Sequence, residues 1–169
     1  MIVGDKVELR KVRLSDASII MVWENDTRNW GVSDTDKAYH FEDILNLIVS
    51  SRDFSETNQL RMIVLHINDN IPLGSIDLFE YDEKENSVHL GILIAEEEHR
   101  KKGYAKESIN LIKGYVRDYL KIDILKCRIQ PKNISSAKLF KSCGFEFVKQ
   151  EFQSSKNTHV DLLQICLRK

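Results

Sequence analysis

The sequence predicts a mixed α/β domain built on one central, mostly antiparallel sheet, and three observations carry that prediction. Strand-like and helix-like runs follow one another in the order β-α-α-β-β-β-α-β-α-β-β. Three runs rich in Val, Ile and Leu lie in mid-chain, separated only by the polar turns "NDN" and "DEKEN", which is the pattern of an antiparallel meander. The last of these runs leads into a long amphipathic helix and then another strand, which places one crossover inside the sheet. Six to seven strands and about four helices are expected.

Each element has its own signal. "KVELRKV" puts Val7, Leu9 and Lys11 on one face and reads as the first strand. Ser15 can cap a helix running to about Glu24, with Ile19, Ile20, Val22 and Trp23 on its apolar side. "NDTRNWGVSDTD" reads as a polar loop. "FEDILNLIVSS" follows as a helix with Phe41, Ile44, Leu45 and Ile48 at helical spacing. "RDFSETN" then leads into the meander strands "QLRMIVLHI", "LGSIDLFEY" and "SVHLGILI". The next helix runs from about Gly103 to Tyr119, with Ala105, Ile109, Ile112, Val116 and Tyr119 on one stripe. "ILKCRIQ" is a short strand, and "ISSAKLFKSCG" is a short helix stopped by Gly144. "FEFVKQEF" and "HVDLLQICL" close the chain as two strands.

Composition bounds the function. With 169 residues, two prolines, seven glycines and no low-complexity tract, residues 1–169 read as one domain. The 42% hydrophobic and 30% charged content is that of a globular protein. A net charge of −1 gives no global pull toward nucleic acid or an anionic membrane. No apolar run approaches the roughly 20 residues that span a bilayer. The start, "MIVGDKVELRK", lacks the pattern of a secretory signal, so a cytoplasmic location is expected. Cys127, Cys143 and Cys166 have no metal-ligand spacing and read as reduced, mostly buried thiols; no metal is expected.

"HRKKGYAKESI" carries the chemistry. The first turn of a helix has N–H groups without backbone partners, and with the helix dipole they attract an anion. Gly103 lets backbone approach that anion, and Arg100, Lys101 and Lys102 can add charge at the rim. The stretch is neither a P-loop nor a dinucleotide fingerprint. Taken alone, it reads equally as a charged turn leading into an ordinary helix.

Context favours the cradle. Arg100-x-x-Gly103-x-Ala105, after a strand and opening a helix, resembles the [QR]-x-x-G-x-[GA] signature of the GNAT superfamily of N-acetyltransferases. "NISSAKLFKSCGF", from Asn133 to Phe145, resembles the second family segment, N-x-x-[SA]-x-x-[FY]-[YF]-x-x-x-G-F. The stretch from "LGSIDLFEY" to "HRKKGYAKESI" is similar to the ribosomal-protein-amine and polyamine acetyltransferase branch.

The resemblance implies a GNAT-like fold, acetyl-CoA as co-substrate and transfer of the acetyl group to a primary amine. It implies that Arg100, Lys101, Lys102, Gly103, Tyr104, Ala105 and Lys106 form the pyrophosphate loop. Ile92, Leu93 and Ile94 would offer backbone groups to the pantetheine arm, and Asn133 and Phe140 would lie near it. Direct attack in a ternary complex requires a base to remove the amine proton. His89 is the first candidate, being on the face of Gly91 and Leu93; Glu80 and Asp77 on the preceding strand come second. Many family members carry a tyrosine near Phe140 to protonate the leaving thiolate, and Phe140 has no such hydroxyl. A non-catalytic acyl-CoA-binding or regulatory domain of the same fold is therefore the alternative reading.

Charge divides between the halves. Twelve Lys and Arg face three acids between His99 and Lys141, which suits the phosphates of CoA. Eleven acids face seven bases from Met1 to Leu60. Asp26, Asp34, Asp36, Glu42 and Asp43 suit a cationic small-molecule or peptide amine, and Trp30 is a candidate lining residue. Monomer and homodimer both fit.

Overall fold

The computed structural model describes residues 1–30, 37–154 and 157–168. Its elements are β1 (Ile2–Val3), β2 (Val7–Lys11), α1 (Ala17–Asn25), α2 (Phe41–Ser50), α3 (Phe54–Thr57), β3 (Leu60–His66), β4 (Pro72–Asp82) and β5 (Ser87–Ile94). After these come α4 (Tyr104–Tyr115), β6 (Ile124–Ile129), α5 (Ile134–Ser142), β7 (Glu146–Gln153) and β8 (Thr158–Cys166). One eight-stranded sheet runs in the order β1-β2-β3-β4-β5-β6-β8-β7. Every neighbouring pair is antiparallel except β5–β6, which is parallel. The sheet exceeds the expected six to seven strands because Ile2–Val3 adds a two-residue strand, too short for an alternation signal.

Alternation along the strands sends side chains to two separate cores. On one face Met62, Leu78, Leu90 and Ile94 pack with Ile109, Ile112 and Val116 of the α4 region. On the other Ile63, Leu65 and Leu93 meet Ile20 and Trp23 of α1 and Ile44 and Ile48 of α2. Each such side chain contributes about 1.5–3 kcal/mol on burial.

Local departures have physical causes. Ser15 is not a helix cap: Leu14–Asp16 form a 3₁₀ turn, and Asp16 accepts from the Arg13 N–H at 2.8 Å and from both terminal nitrogens of Arg10. Val22 is largely exposed, while Glu24 is buried. "RDFSETN" holds the one-turn helix α3, capped by Asp53, because Phe54 inserts into the core. Tyr119 leaves the α4 stripe and stacks on Tyr115 in the open, 78% exposed. The cause is a π turn at Val116–Leu120, whose wider turn shifts the angular register.

The relationship between β5 and β6 positions the site. They pair only at Ser87–His89 with Ile124–Lys126 and then part. The Ala95 N–H donates to the Leu73 carbonyl, which fixes the parity of the β4–β5 ladder. By antiparallel alternation, Leu93 and Gly91 spend their peptide groups on β4, whereas Leu90, Ile92 and Ile94 turn theirs toward the gap.

Candidate active site

The loop after β5 is built around Gly103. It has φ +90° and sits immediately before α4, where a side chain would be strained. Among the described residues no side chain caps α4, in contrast to α3 and α5, which are capped by Asp53 and Asn133. The first-turn N–H groups of Tyr104, Ala105 and Lys106 are therefore available to an anion. Lys101, Lys102 and Lys106 are exposed at this turn, and the Tyr104 ring packs edge-on against His66.

Arg100 turns inward. Its Nε donates to the Ile94 carbonyl at 2.9 Å, and one Nη donates to the Ala95 carbonyl at 3.0 Å and the Asn29 side chain at 2.8 Å. It ties the end of β5 to the segment after α1 rather than adding charge at the rim. Of the three expected backbone sites, Ile92 keeps both peptide groups facing the gap. The Ile94 carbonyl is taken by Arg100, and Leu93 pairs with β4.

A cleft of about 290 Å³ opens on the α1–α2 face of the sheet, floored by β4 and β5. Glu24, Tyr39, Arg61, Ser75, Asp77 and Gly91 are among its walls. Arg61 donates to Asp77 at 2.6 Å and to Glu24 at 2.8 Å. Burial opposes the charge on Arg61, but Asp77 and Glu24 outweigh it and raise its pKa. Burial pushes the Asp77 carboxyl above the usual carboxylate range, against the pull of Arg61. Gly91 stands opposite Asp77, so nothing larger than hydrogen projects from β5 there. The arrangement is a desolvated pocket beside the gap between β5 and β6, in which Glu24 and Asp77 meet on Arg61.

His89 and Glu80 belong to a neighbouring, more open cleft of about 690 Å³. His89 is 7% exposed, with its ring beside Phe79. Its pKa is lowered to about 4, first by burial and then by Arg128. The sequence argument that His89 titrates near neutrality is therefore corrected: it is neutral at pH 7, but a weak base. Glu80 sits on a bulge at φ +50°, pairs with Arg128 at 2.6 Å and lies 3.9 Å from His89 Nε2. Arg128 lines both clefts.

The remaining expected residues are placed as follows. Asn133 Oδ1 caps α5 by accepting from the Ser136 N–H at 3.1 Å. Phe140 is 4% exposed, with its ring edge-on to Phe145 at 5.0 Å. Trp30 donates its indole N–H to the Glu24 carbonyl at 2.8 Å. Asp26 pairs with Arg28, Asp43 accepts from the His40 N–H at the start of α2, and Glu42 is exposed. Asp34 and Asp36 lie outside the described residues. The acids of the cleft are Glu24 and Asp77. Glu24 was missed because it sits where the helix pattern calls only for an amphipathic edge. Its one signal is an acid four residues after Ile20, on the buried stripe.

Residues 6–146 match the family model of the acetyltransferase (GNAT) domain. The chain belongs to this GNAT family. It is an N-acetyltransferase that uses acetyl-CoA, and the open, uncapped turn at Gly103 fits a phosphate-bearing co-substrate. An uncharacterized N-acetyltransferase p20 of Bacillus licheniformis is 21% identical over 170 residues, covering 98% of this chain and 94% of that protein. A GNAT-family acetyltransferase from Bacillus anthracis superposes with a TM-score of 0.83 at 17% identity, covering 99% of both chains. Spermidine N-acetyltransferase from Vibrio cholerae, solved with CoA and spermine, superposes with a TM-score of 0.81 at 21% identity, covering 97% of both chains. The GNAT fold accounts for the mixed sheet. Among the described residues no group of three or more His, Cys, Asp and Glu could hold a metal ion, and no helix is long and apolar enough to cross a membrane.

Proposed function

We propose that this GNAT enzyme moves an acetyl group from acetyl-CoA to a primary amine on a cationic acceptor, by direct attack within a ternary complex. The observation that carries the acceptor class is the Glu24–Arg61–Asp77 cluster in the cleft beside β5. Two carboxylates meet on one guanidinium in the wall of the cleft, and their oxygens are hydrogen-bond acceptors that an entering ammonium can approach. The spermine-bound neighbour is in keeping with such an acceptor.

The loop N–H groups at Tyr104, Ala105 and Lys106 hold the pyrophosphate, with Gly103 keeping the approach open. The Ile92 peptide groups face the gap where the pantetheine arm enters, and its N–H is the donor for the thioester oxygen. Asp77 receives the amine proton, directly or through water. Its raised pKa makes it a better base than an ordinary carboxylate, while His89 is too weak and lies in the other cleft. The amine nitrogen then forms its bond to the carbonyl carbon, the carbon–sulfur bond breaks as that adduct collapses, and the nitrogen's second proton passes to solvent. Phe140 is enclosed in the core, so the leaving thiolate takes its proton from water.

Release of free CoA thiol, measured with a panel of diamines, polyamines, peptide N-termini and aminosugars, tests this reading. Turnover is expected on cationic amines and lost in Asp77→Asn. Binding of CoA with no turnover on any amine would instead establish the non-catalytic acyl-CoA-binding alternative.

A further inference from the structure

We infer that Lys6, which lies outside the cofactor loop and its sequence motif, is a phosphate-contacting residue of the acetyl-CoA site; this rests on the acetyl-CoA reading above. Lys6 precedes β2, nearly a hundred residues before the loop, yet its ammonium reaches it. Lys6 Nζ donates to the Lys102 carbonyl at 3.2 Å and lies 3.3 Å from where a Cβ on Gly103 would stand. The space left open by the glycine thus has a cation at its edge.

The turn that carries Lys6 is held in place. Glu107, in the first turn of α4, accepts from the backbone N–H groups of Asp5 and Lys6. An acid so near a helix start commonly faces its own free N–H groups. Here it faces another segment and leaves the α4 start uncapped. Gly4 allows the close approach, because a Cβ there would collide with the Glu107 carboxylate. The clamp fixes the backbone of Lys6 against α4, and the side chain returns to the loop.

Charge accounting gives the position a purpose. Arg100, the first cation of the loop, spends its guanidinium on Ile94, Ala95 and Asn29. Lys6 brings a positive charge back to the turn from a separate part of the chain. An ammonium has three N–H bonds. One goes to Lys102, and the exposed group has the others to offer to phosphate oxygens. The contact is electrostatic and specific to the phosphate-bearing end of the co-substrate.

Calorimetric titration of CoA and of pantetheine, which lacks the phosphates, into the wild type, Lys6→Gln and Lys6→Arg tests the assignment. For Lys6→Gln the Kd for CoA is expected to rise about 3- to 10-fold, with a shallower salt dependence and no change for pantetheine. Lys6→Arg should stay close to the wild type. An unchanged CoA affinity in Lys6→Gln overturns the inference. Equal weakening toward both ligands also overturns it, because Lys6 would then merely hold the loop in shape. Wild-type protein that binds no CoA would overturn the acetyl-CoA reading itself, an outcome distinct from either.

Discussion

Arg61 and Asp77 occupy directly opposite positions on β3 and β4, and their side chains meet at 2.6 Å in the floor of the cleft. Because the guanidinium also holds Glu24, the carboxylates keep their orientation without a ligand. A pocket built in advance loses little freedom when a ligand enters, which favours the amine acceptor proposed above.

Asp77→Asn keeps the shape of this floor and removes its charge and basicity. We expect kcat/KM to fall about 10²- to 10³-fold, with circular dichroism and melting temperature little changed. Steady-state kinetics with a polyamine measures the loss, and a fall below threefold would remove Asp77 from the chemistry.

Gly74 and Gly91, both on the floor strands, should respond oppositely to the same substitution. A Cβ at Gly74 would fall 2.8 Å from the Leu93 carbonyl carbon and nearer still to its oxygen. Gly74→Ala is expected to cost about 2–4 kcal/mol or to prevent folding. At Gly91 the nearest atom is Phe79 Cε1, at an ordinary 3.5 Å. Gly91→Ala should cost under about 1 kcal/mol while raising KM for the acceptor, since the methyl enters the cleft. Urea unfolding of both variants separates the two effects.

His89 gives the fold a pH dependence. Its folded pKa of about 4 lies below the ordinary 6.5, so the unfolded chain binds the proton more readily. The stability it contributes is complete above pH 6.5 and is lost as pH falls toward 4. His89→Gln should flatten the stability curve across that window while leaving the activity at pH 7 within a few-fold. Urea midpoints at pH 7 and 5 check the first part. A rate collapse at pH 7 in a folded variant would return His89 to the role of base.

Arg100→Lys should fail to replace Arg100. The fork reaches two carbonyls and an amide at once, and an ammonium cannot reproduce that planar set. We expect a loss of about 2–3 kcal/mol in stability and a raised KM for acetyl-CoA. Thermal melts and initial rates measure these, and an unchanged melting temperature would contradict the structural role.

Much of the fold was legible because its signals are local. "SVHLGILI" is β5 from end to end, and the polar turns on either side of β4 fall where expected. The α4 stripe holds through Val116, then fails at Tyr119, because nothing in the sequence marks a π turn. Gly103 was legible as the turn that opens α4 because its requirement is conformational. The cleft was legible only in Asp77, named as a candidate base, while charge counting drew attention to Asp26, Glu42 and Asp43, which pair, cap or face solvent. Glu24 and Asp77 come together on Arg61, across 37 and 16 residues. Partnerships of that kind are made by the sheet register, which the sequence specifies only through the whole fold.

Arg100 also has a bearing on the order of events. One guanidinium joins the strand end that leads into the co-substrate loop with Asn29, just beyond the helix that carries Glu24. On the proposed function, this tie predicts that donor binding at the loop braces the cleft before an amine binds. The expected kinetic signature is compulsory order: acetyl-CoA adds first, CoA leaves last, and CoA inhibits competitively against acetyl-CoA but noncompetitively against the amine.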